Sequence, residues 1–470
     1  MSAHHTSRSL HGRGKQRGAA LLILLAIIMI GIAAILINSL SSAGMKNARQ
    51  QKTAAVLAQA KAALIGYAIT YGDTHSNTVP GFLPCPDTNG SNGEGVSVLS
   101  CGTQDVSAIG RLPWATLDVS DLRDGDGECL WYAVSGTYKY NNADLMNWDT
   151  IGQFQVFAQD GTLLTNQVVA VIFAPGAAVT GQNRSGTAAP ICGGNYTAGN
   201  YLDNDTVHGI NNATVPAGSF GIGSFIQGTS GSNVNDQMVF ITRDELWNAV
   251  QKRSDFQNTL KLLTQKVAQC LAYYGNSNSS CGWSCNNLSL PWPAPVSLGT
   301  NQLSDYYNNA NYNDTANLYA GRVPYSVGTS RGPWPYHNSL TTLMNSASCS
   351  PISAGWTARD DAWWNNWKDH LYYGLAPAFQ PSSSGGQSCP TCPNINGAGS
   401  YAAIVIFAGQ RLSGQARTDK SVVADYLEGK NAIRLNSPTT GGGQYQVATT
   451  TSTFNDVMCY LTQSLNVTCP

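Results

Sequence analysis

An uncharged apolar segment near the N-terminus constrains this chain more than any other feature. It runs from Ala19 to Met45, 27 residues without an Asp, Glu, Lys or Arg. As a helix rising about 1.5 Å per residue, it is longer than the bilayer hydrocarbon core, which is about 30 Å thick. A cleaved secretory signal has a shorter apolar region and an exit of small residues. We therefore expect a membrane-spanning helix. Its basic flank, kept in the cytoplasm, contains Arg8, Arg13, Lys15 and Arg17.

The residues after this segment predict that the helix continues out of the membrane. Residues 46–72 contain no Pro, no Gly before Gly66, and many Ala, Leu, Gln and Lys, which favour helix. Their apolar residues recur at helical spacing, which indicates one buried face. We expect one helix from Ala19 to about Tyr71, with a membrane-buried first half and a second half, the stem, packed on a folded domain.

A basic leader ending in Gly18, an apolar helix directly after it and an amphipathic stem together resemble the type IV pilin-like superfamily, which includes the pseudopilins of type II secretion. The resemblance implies that prepilin peptidase cuts after Gly18 and that Ala19 becomes a methylated N-terminus. It also implies that the helix packs in the lipid bilayer and then against other pilin or pseudopilin subunits. The alternative is an uncleaved single-pass anchor.

Two positions depart from the family pattern. Ala19 stands where most major pilins begin with Phe or Met, and Ile23 stands at the fifth mature position, where most have Glu. In the family, that Glu is thought to pair with the N-terminal amine of a neighbouring subunit. A carboxylate in hydrocarbon is costly unless it is paired, so a subunit without it lacks that contact. Ile23 therefore favours a tip or initiating subunit over a filament-body subunit.

The rest of the chain is internally duplicated. Seven pairs of similar blocks occur in the same order, among them Gly-Gln-x-Arg at 181–184 and 414–417. We expect an α+β fold with a leader at 1–18, a transmembrane part at 19–45 and two tandem pilin-like domains at 46–250 and 251–470. Each domain would be a helix packed on a mainly antiparallel sheet, and residues 244–276 would form one helix that opens the second copy.

The chain contains 12 cysteines, all after the apolar segment, which suits disulfides in an oxidising compartment. Candidate pairs are Cys85 with Cys101, Cys389 with Cys392, and Cys459 with Cys469, although spacing does not establish connectivity. The alternative for Cys389/Cys392 and for Cys281/Cys285 is a metal knuckle, but no His lies near either pair. After the leader, 22 basic residues face 27 acidic ones, so no basic surface remains for nucleic acid.

Few motifs suggest chemistry. Ser330 lies in a Gly-x-Ser-x-Gly pattern, but Pro333 follows, so the helix of a nucleophile elbow cannot begin there. Asp124, Asp126 and Glu128 alternate with glycines and form a candidate calcium site, or else an ordinary solvated turn. The repeated Gln-x-Arg is either a structural clamp for its loop or a contact surface. A tryptophan cluster is a candidate sugar platform or packed core: Trp356, Trp363, Trp364 and Trp367.

The sequence thus predicts a non-enzymatic minor pilin or pseudopilin-like protein without a required cofactor. It would be a single-pass protein of the bacterial inner membrane, with its domains in the periplasm or on an extracellular filament. One alternative is a pilus-tip adhesin that binds sugars or surfaces. A second is a membrane-anchored periplasmic hydrolase, which would need an acid/base or nucleophile cluster that the sequence does not display.

Overall fold

The structure is a computed structural model that describes residues 42–140, 145–228, 234–277, 288–328, 342–381 and 389–470. The leader, the processing residues Gly18 and Ala19, and the assembly position Ile23 lie outside the described residues. So do Ser330 and the pair Cys281/Cys285. Within the described part, the architecture is α+β, with one long N-terminal helix followed by mixed helix and sheet.

The stem is a helix of 33 residues, α1 (Ser42–Thr74). Over Gly44–Thr74 it is long and apolar enough to cross a membrane. Its C-terminal part packs on a sheet through residues spaced three or four apart, which form one buried stripe: Leu57, Ala60, Leu64, Ala68 and Tyr71. Residues 44–52 are exposed or half-buried, so the helix emerges from the folded part towards the apolar segment.

The first sheet has six strands: β1 (Ala108–Arg111), β2 (Trp131–Val134), β3 (Phe154–Phe157), β4 (Leu163–Ala174), β7 (Gly223–Ile226) and β8 (Gln237–Thr242). Its order is β1-β2-β4-β3-β7, and β8 also pairs with β4. All pairings are antiparallel except β3 with β7. The short strands β5 (Asn204–Asp205) and β6 (Ile210–Asn211) form a separate ribbon.

The second sheet has five strands: β9 (Ala320–Arg322), β10 (Leu371–Leu375), β12 (Ala403–Phe407), β14 (Val457–Leu461) and β15 (Val467–Thr468). Its order is β15-β14-β12-β10-β9, and every pairing is antiparallel. Two further strands, β11 (Pro393–Ile395) and β13 (Gly443–Tyr445), pair in parallel beside it.

The duplicated sequence blocks occupy matching places in the two sheets. The order β1-β2-β4-β8 in the first corresponds to β9-β10-β12-β14 in the second. The match extends to the segments after the two Leu-Pro-x-Pro motifs. Asp87 exchanges two backbone hydrogen bonds with Arg111, and Ala294 exchanges two with Arg322. A helix covers the equivalent strands in each half, α1 on β4 and β8, and α3 (Phe256–Ser277) on β12 and β14.

The predicted single helix over residues 244–276 is instead two helices. Helix α2 (Arg243–Gln251) ends, and α3 begins five residues later. Arg253 in the break binds Asp73 at 2.6 Å and Asp255 at 2.7 Å, and it donates to the Ile69 carbonyl at 2.8 Å. These contacts tie the turn to the C-terminal end of α1. Long-range ion pairs of this kind cannot be read from helical periodicity.

Both faces of both sheets are buried, which explains their nearly continuous apolar runs. The residues facing the helices in the two sheets belong to one continuous core, to which α1, α2, α3 and α6 (Ala358–Trp367) contribute. The opposite faces form separate clusters, one around Trp131 and Phe173 and one around Tyr372 and Ile406. Loops cover the first of these faces, and loops together with the short helix Gly429–Leu435 cover the second. The other α-helices among the described residues are short: α4 (Leu303–Tyr307), α5 (Ser346–Cys349) and α7 (Gly429–Leu435).

Candidate functional site

The Gln-x-Arg motif forms a polar clamp in each half. After β4, Arg184 donates to the carbonyls of Gly176 at 2.7 Å and Asn200 at 3.2 Å, and its guanidinium lies 5.1 Å from the Tyr201 ring centroid. Gln182 accepts from the Val179 amide at 3.2 Å. Because these bonds satisfy the loop's own backbone, they fix its path across the sheet.

The second half repeats this clamp almost bond for bond. Arg417 donates to the carbonyls of Gly409 at 2.7 Å and Asp425 at 2.8 Å, and it lies 4.9 Å from the Tyr426 ring centroid. Gln415 accepts from the Leu412 amide at 2.8 Å. Of the two interpretations of the motif, the geometry favours the structural clamp, since the hydrogen bonds that Gln and Arg make to backbone groups lie within the loop.

Next to each clamp lie two neighbouring carboxyl groups, one of which accepts a hydrogen bond from a buried Asn side chain. Asp203 accepts from the Asn235 and Asp236 amides at 2.6 and 3.0 Å, and Asp236 accepts from the Asp203 amide at 2.8 Å. Asn212 exchanges two hydrogen bonds with the Ile226 backbone, both at 2.9 Å, and donates to Asp236. Burial, reinforced by the neighbouring Asp203 charge, raises the pKa of Asp236 well above its usual range.

Glu428, Asp456 and Asn431 form the equivalent set in the second half. Asp456 accepts from the Glu428 amide at 3.2 Å and from the Asn431 side chain at 2.9 Å. Burial and the charge of Glu428 raise the pKa of Asp456 as well. Asn431 bonds the backbone of Gln446 in both directions, at 2.9 and 3.0 Å. The duplicated acid pair therefore joins three segments of chain in each half.

The two halves are joined by a buried cluster of charges around His370. Asp369 Oδ1 lies 2.9 Å from His370 Nδ1, and Asp149 Oδ2 lies 2.9 Å from Nε2. The Trp148 indole nitrogen lies 2.7 Å from Nε2. Lys420 Nζ pairs with Asp369 Oδ2 at 2.6 Å, and Arg417 lies 3.5 Å from Asp149 Oδ2. Trp148 and Asp149 come from the first half and the others from the second.

The electrostatics of this cluster favour ionised carboxylates despite complete burial. Burial alone would raise the pKa of Asp149, but the Arg417 charge and the His370 hydrogen bond lower it to about 2. Lys420 and His370 likewise hold the pKa of Asp369 well below its usual range against the effect of burial. The cluster is thus an ionic lock between the halves.

An Asp–His pair suggests acid/base chemistry, yet this one is closed to substrate. The His370 side chain is 0% exposed, and both ring nitrogens already face partners. Its described neighbours are carboxylates, cations and aromatic rings, with no hydroxyl or thiol nucleophile hydrogen-bonded to it within the described residues. A general base must reach the proton that it removes, so the geometry offers no support for a hydrolase centre here.

The three candidate calcium ligands each bind a different partner in the protein. Asp124 is buried and accepts from the Asp126, Glu128 and Gly176 amides at 2.8–3.0 Å, while burial raises its pKa. Asp126 pairs with Arg49 of α1 at 3.1 Å. Glu128 pairs with Arg184 at 3.2 Å. In the part of the chain that the structure describes, no group of three or more His, Cys, Asp or Glu residues is arranged to hold a metal ion.

This acidic loop docks the stem instead. The Gly125 amide donates to the Thr53 hydroxyl at 2.9 Å, and a Cβ at Gly125 would lie 2.3 Å from the Arg49 carbonyl oxygen. Glycine is therefore required for the close approach of the loop to α1. Together with the Arg49–Asp126 pair, these contacts hold the helix just where its exposed N-terminal part begins.

The tryptophan cluster is packed core, and its interpretation as a sugar platform is wrong. The exposed fractions of Trp356 and Trp363 are 4%, and those of Trp364 and Trp367 are 0%. The Trp367 ring packs on Trp148 at a centroid distance of 4.7 Å and on Trp247 at 5.7 Å. These rings join the halves, so they present no face to a ligand.

The cysteines form five disulfides within the described residues. They include the three candidate pairs, Cys85–Cys101, Cys389–Cys392 and Cys459–Cys469. Two further disulfides are long-range, Cys129–Cys192 and Cys270–Cys349. Because Cys389 and Cys392 are bonded to each other, they form no metal knuckle.

Sequence reasoning missed the His370 cluster, although the duplication contained a signal for it. In the paired blocks, Asp369-His370 aligns with Glu128-Cys129. Cys129 is in a disulfide, while His370 at the equivalent place is in the ionic lock. A titratable residue that replaces a bonded cysteine between otherwise similar blocks marks a position with a new partner.

Comparison of the chain with protein-family models, with curated proteins and with solved structures gave no match.

Proposed function

We propose that this chain is a minor subunit of a type IV pilin-like or type II secretion-type filament, at its tip or initiating end. The observation that carries the proposal is the continuity of the N-terminal region. A basic leader and an apolar segment lead directly into α1, whose exposed N-terminal part (residues 44–52) extends from a disulfide-rich folded part. A subunit of this kind needs such an arrangement, because the helix assembles while the head remains outside the membrane.

In this proposal, each part of the chain has a role in assembly. Prepilin peptidase removes residues 1–18, and the helix beginning at Ala19 holds the protein in the inner membrane before it packs against other subunits. Ile23 supplies no carboxylate to a neighbour's N-terminal amine, so the protein ends or begins a filament. The acidic loop that clamps α1 through Arg49 and Thr53 transmits the position of the helix to the head.

Mass spectrometry of the mature N-terminus tests the proposal. The full chain is produced in a bacterium with an active prepilin peptidase, together with a prepilin whose processing provides the positive control. We expect a chain that begins at a methylated Ala19, whereas the Gly18→Val variant, with a bulky residue at the cleavage site, keeps its leader. An intact leader on the wild-type chain beside a fully processed control would overturn the proposal.

A further inference from the structure

A cleft of about 540 Å³, lined mainly by polar residues, lies between the two halves, outside every feature described above. One wall comes from the first half through Gln104, Asp105, Ser219 and Phe220. The other comes from the second half through Ser304, Tyr307, Asn308, Asn309, Asn365 and Lys368. Its volume falls within the range of small-molecule sites, roughly 300–1,000 Å³.

The first wall is held in an unusual backbone conformation. Asp105 and Phe220 both have positive φ, 58° in each case. The left-handed region is uncommon for non-glycine residues and an outlier for a bulky one such as Phe. The Phe220 amide donates to the Asp105 carbonyl at 3.0 Å, and the Gln153 side chain donates to the same oxygen at 2.8 Å. Strain that the surrounding structure holds in place is concentrated at functional sites.

Two residues of the lining have buried hydrogen-bond acceptors without a donor. Among the described residues, Asp105 Oδ1 and Asn309 Oδ1 are buried without a hydrogen-bond partner. The Asp105 residue is only 3% exposed. Each of these atoms exposes less than 1 Å², so a ligand donor reaches it only when the side chain turns towards the cleft, and the hydrogen bond gained there favours that turn.

Two aromatic rings complete the site. The Phe220 and Tyr307 centroids are 6.2 Å apart, at an interplanar angle of 42°, and Phe220 is 36% exposed. The polar groups beside them are held in place. Asn309 donates to Asn365 at 2.8 Å, and Lys368 Nζ donates to the Tyr307 carbonyl at 2.8 Å. Amide side chains beside an exposed ring match a ligand with hydroxyls around its edge and apolar C–H groups on its face.

The charges of the lining do not favour an ionic ligand. Burial raises the pKa of Asp105 to about 6, although the Lys139 charge opposes this. Burial lowers the pKa of Lys368 to about 7 against the charge of Asp369. The one acid and the one base of the cleft are therefore both shifted towards their neutral forms, which leaves little net charge for a phosphate or a polycation to bind.

We propose that this cleft binds a neutral saccharide, whose ring packs on Phe220 and whose hydroxyls donate to Asp105 and Asn309. The site differs from the tryptophan cluster, which is closed. It also does not depend on filament assembly, so its test is separate from that of the leader processing.

Binding is measured by calorimetry on the full chain in a zwitterionic detergent, because maltoside detergents carry a competing sugar. The probes are maltotriose, chitotriose and lactose, with the tripeptide Gly-Gly-Lys as a cationic comparator. We expect at least one saccharide to bind with a dissociation constant of about 1 mM or tighter. The Phe220→Ala variant should weaken that binding by roughly 2- to 12-fold, the fold-change equivalent to one aromatic contact.

Two variants separate ligand contact from folding. Ile222→Ala, at a residue that is 55% exposed and lies outside the cleft, should leave binding unchanged. Ser304→Trp adds bulk at an exposed position in the mouth and should abolish binding without lowering the thermal midpoint. The proposal is overturned if none of the three saccharides binds, if Phe220→Ala and Ser304→Trp bind as tightly as wild type, or if the tripeptide binds in preference to the sugars.

Discussion

Replacing Lys420 by Met tests whether the ionic lock holds the two halves together. The substitution keeps the aliphatic part of the side chain but removes the ammonium group 2.6 Å from Asp369 Oδ2, in a pair exposed by 5% and 0%. Asp369 would keep its contacts with His370 and with Asn147, which donates to it at 3.1 Å. Removing one partner of a buried pair leaves an uncompensated charge and costs about 3–5 kcal/mol.

Lys61→Met provides a matched control on the surface. Lys61 Nζ lies 2.7 Å from Glu245, a distance close to that of the buried pair, but the two side chains are 26% and 40% exposed. Exposed ion pairs contribute about 0–1 kcal/mol. The two variants therefore make the same chemical change at almost the same distance, and only the burial differs.

The assay is urea unfolding of the full chain with its disulfides intact, at pH 7 and pH 4. We expect Lys420→Met to lower the free energy of unfolding by about 3–5 kcal/mol at pH 7, against about 1 kcal/mol or less for Lys61→Met. Lys420 helps to keep the pKa of Asp369 low, so in the wild type the stability from Asp369 is present above its unfolded pKa and is lost only as pH falls through the folded pKa, below pH 4. In Lys420→Met the buried carboxylate lacks this compensating charge, so its pKa rises above the wild-type value and protonation on the way to pH 4 relieves part of the penalty, which should therefore shrink. Equal losses in both variants, or a penalty that grows at pH 4, would refute the reasoning.

Three further outcomes are expected from the same unfolding assay. Asn431→Ala, which breaks both bonds to Gln446 and one to Asp456, should cost about 3 kcal/mol, whereas Asn313→Ala at an exposed residue should cost no more than about 0.5 kcal/mol. Because the pKa of Asp456 is raised in the folded protein, the stability that its protonated form contributes is present below the unfolded pKa and lost as pH rises. The Asp456→Asn variant does not titrate, so it should gain stability relative to wild type between pH 4 and pH 8. A difference in unfolding free energy that stays constant with pH would contradict this. Replacing both Cys129 and Cys192 by Ala should cost about 2–4 kcal/mol and replacing Cys389 and Cys392 less, since the first pair is 63 residues apart and the second 3; the reverse order would count against the loop-length argument.

Local patterns predicted the elements whose cause is local. The stem helix follows from helix-forming residues with one apolar stripe, and the short apolar runs in β4, β8 and β12 are typical of buried strands. The duplicated blocks predicted that two parts of the chain are built alike, and the order of four strands in each sheet agrees. The break between α2 and α3 was missed because Arg253 is held there by Asp73, 180 residues earlier in the sequence.

The candidate sites likewise depend on contacts between distant segments that local patterns do not show. Aromatic spacing does not distinguish a ligand platform from a core, and the four tryptophans are buried because two halves pack over them. Alternating acids and glycines resembled an ion loop, but Asp126 and Glu128 are paired with arginines from distant segments. No sequence motif predicted the cleft, because Phe220 and Tyr307 are brought together only by the contact between the halves.

The sequence by itself determined that this protein has an apolar N-terminal segment leading into a helix, an internal duplication and enough cysteines for several disulfides. These properties depend on composition, on periodicity and on order along the chain. Only the tertiary structure decided that the halves share one core, that His370 lies between Asp149 and Asp369, and that a polar cleft opens at their junction. Each of these depends on residues far apart in sequence, whose contact is set by how the two helix-covered sheets pack together.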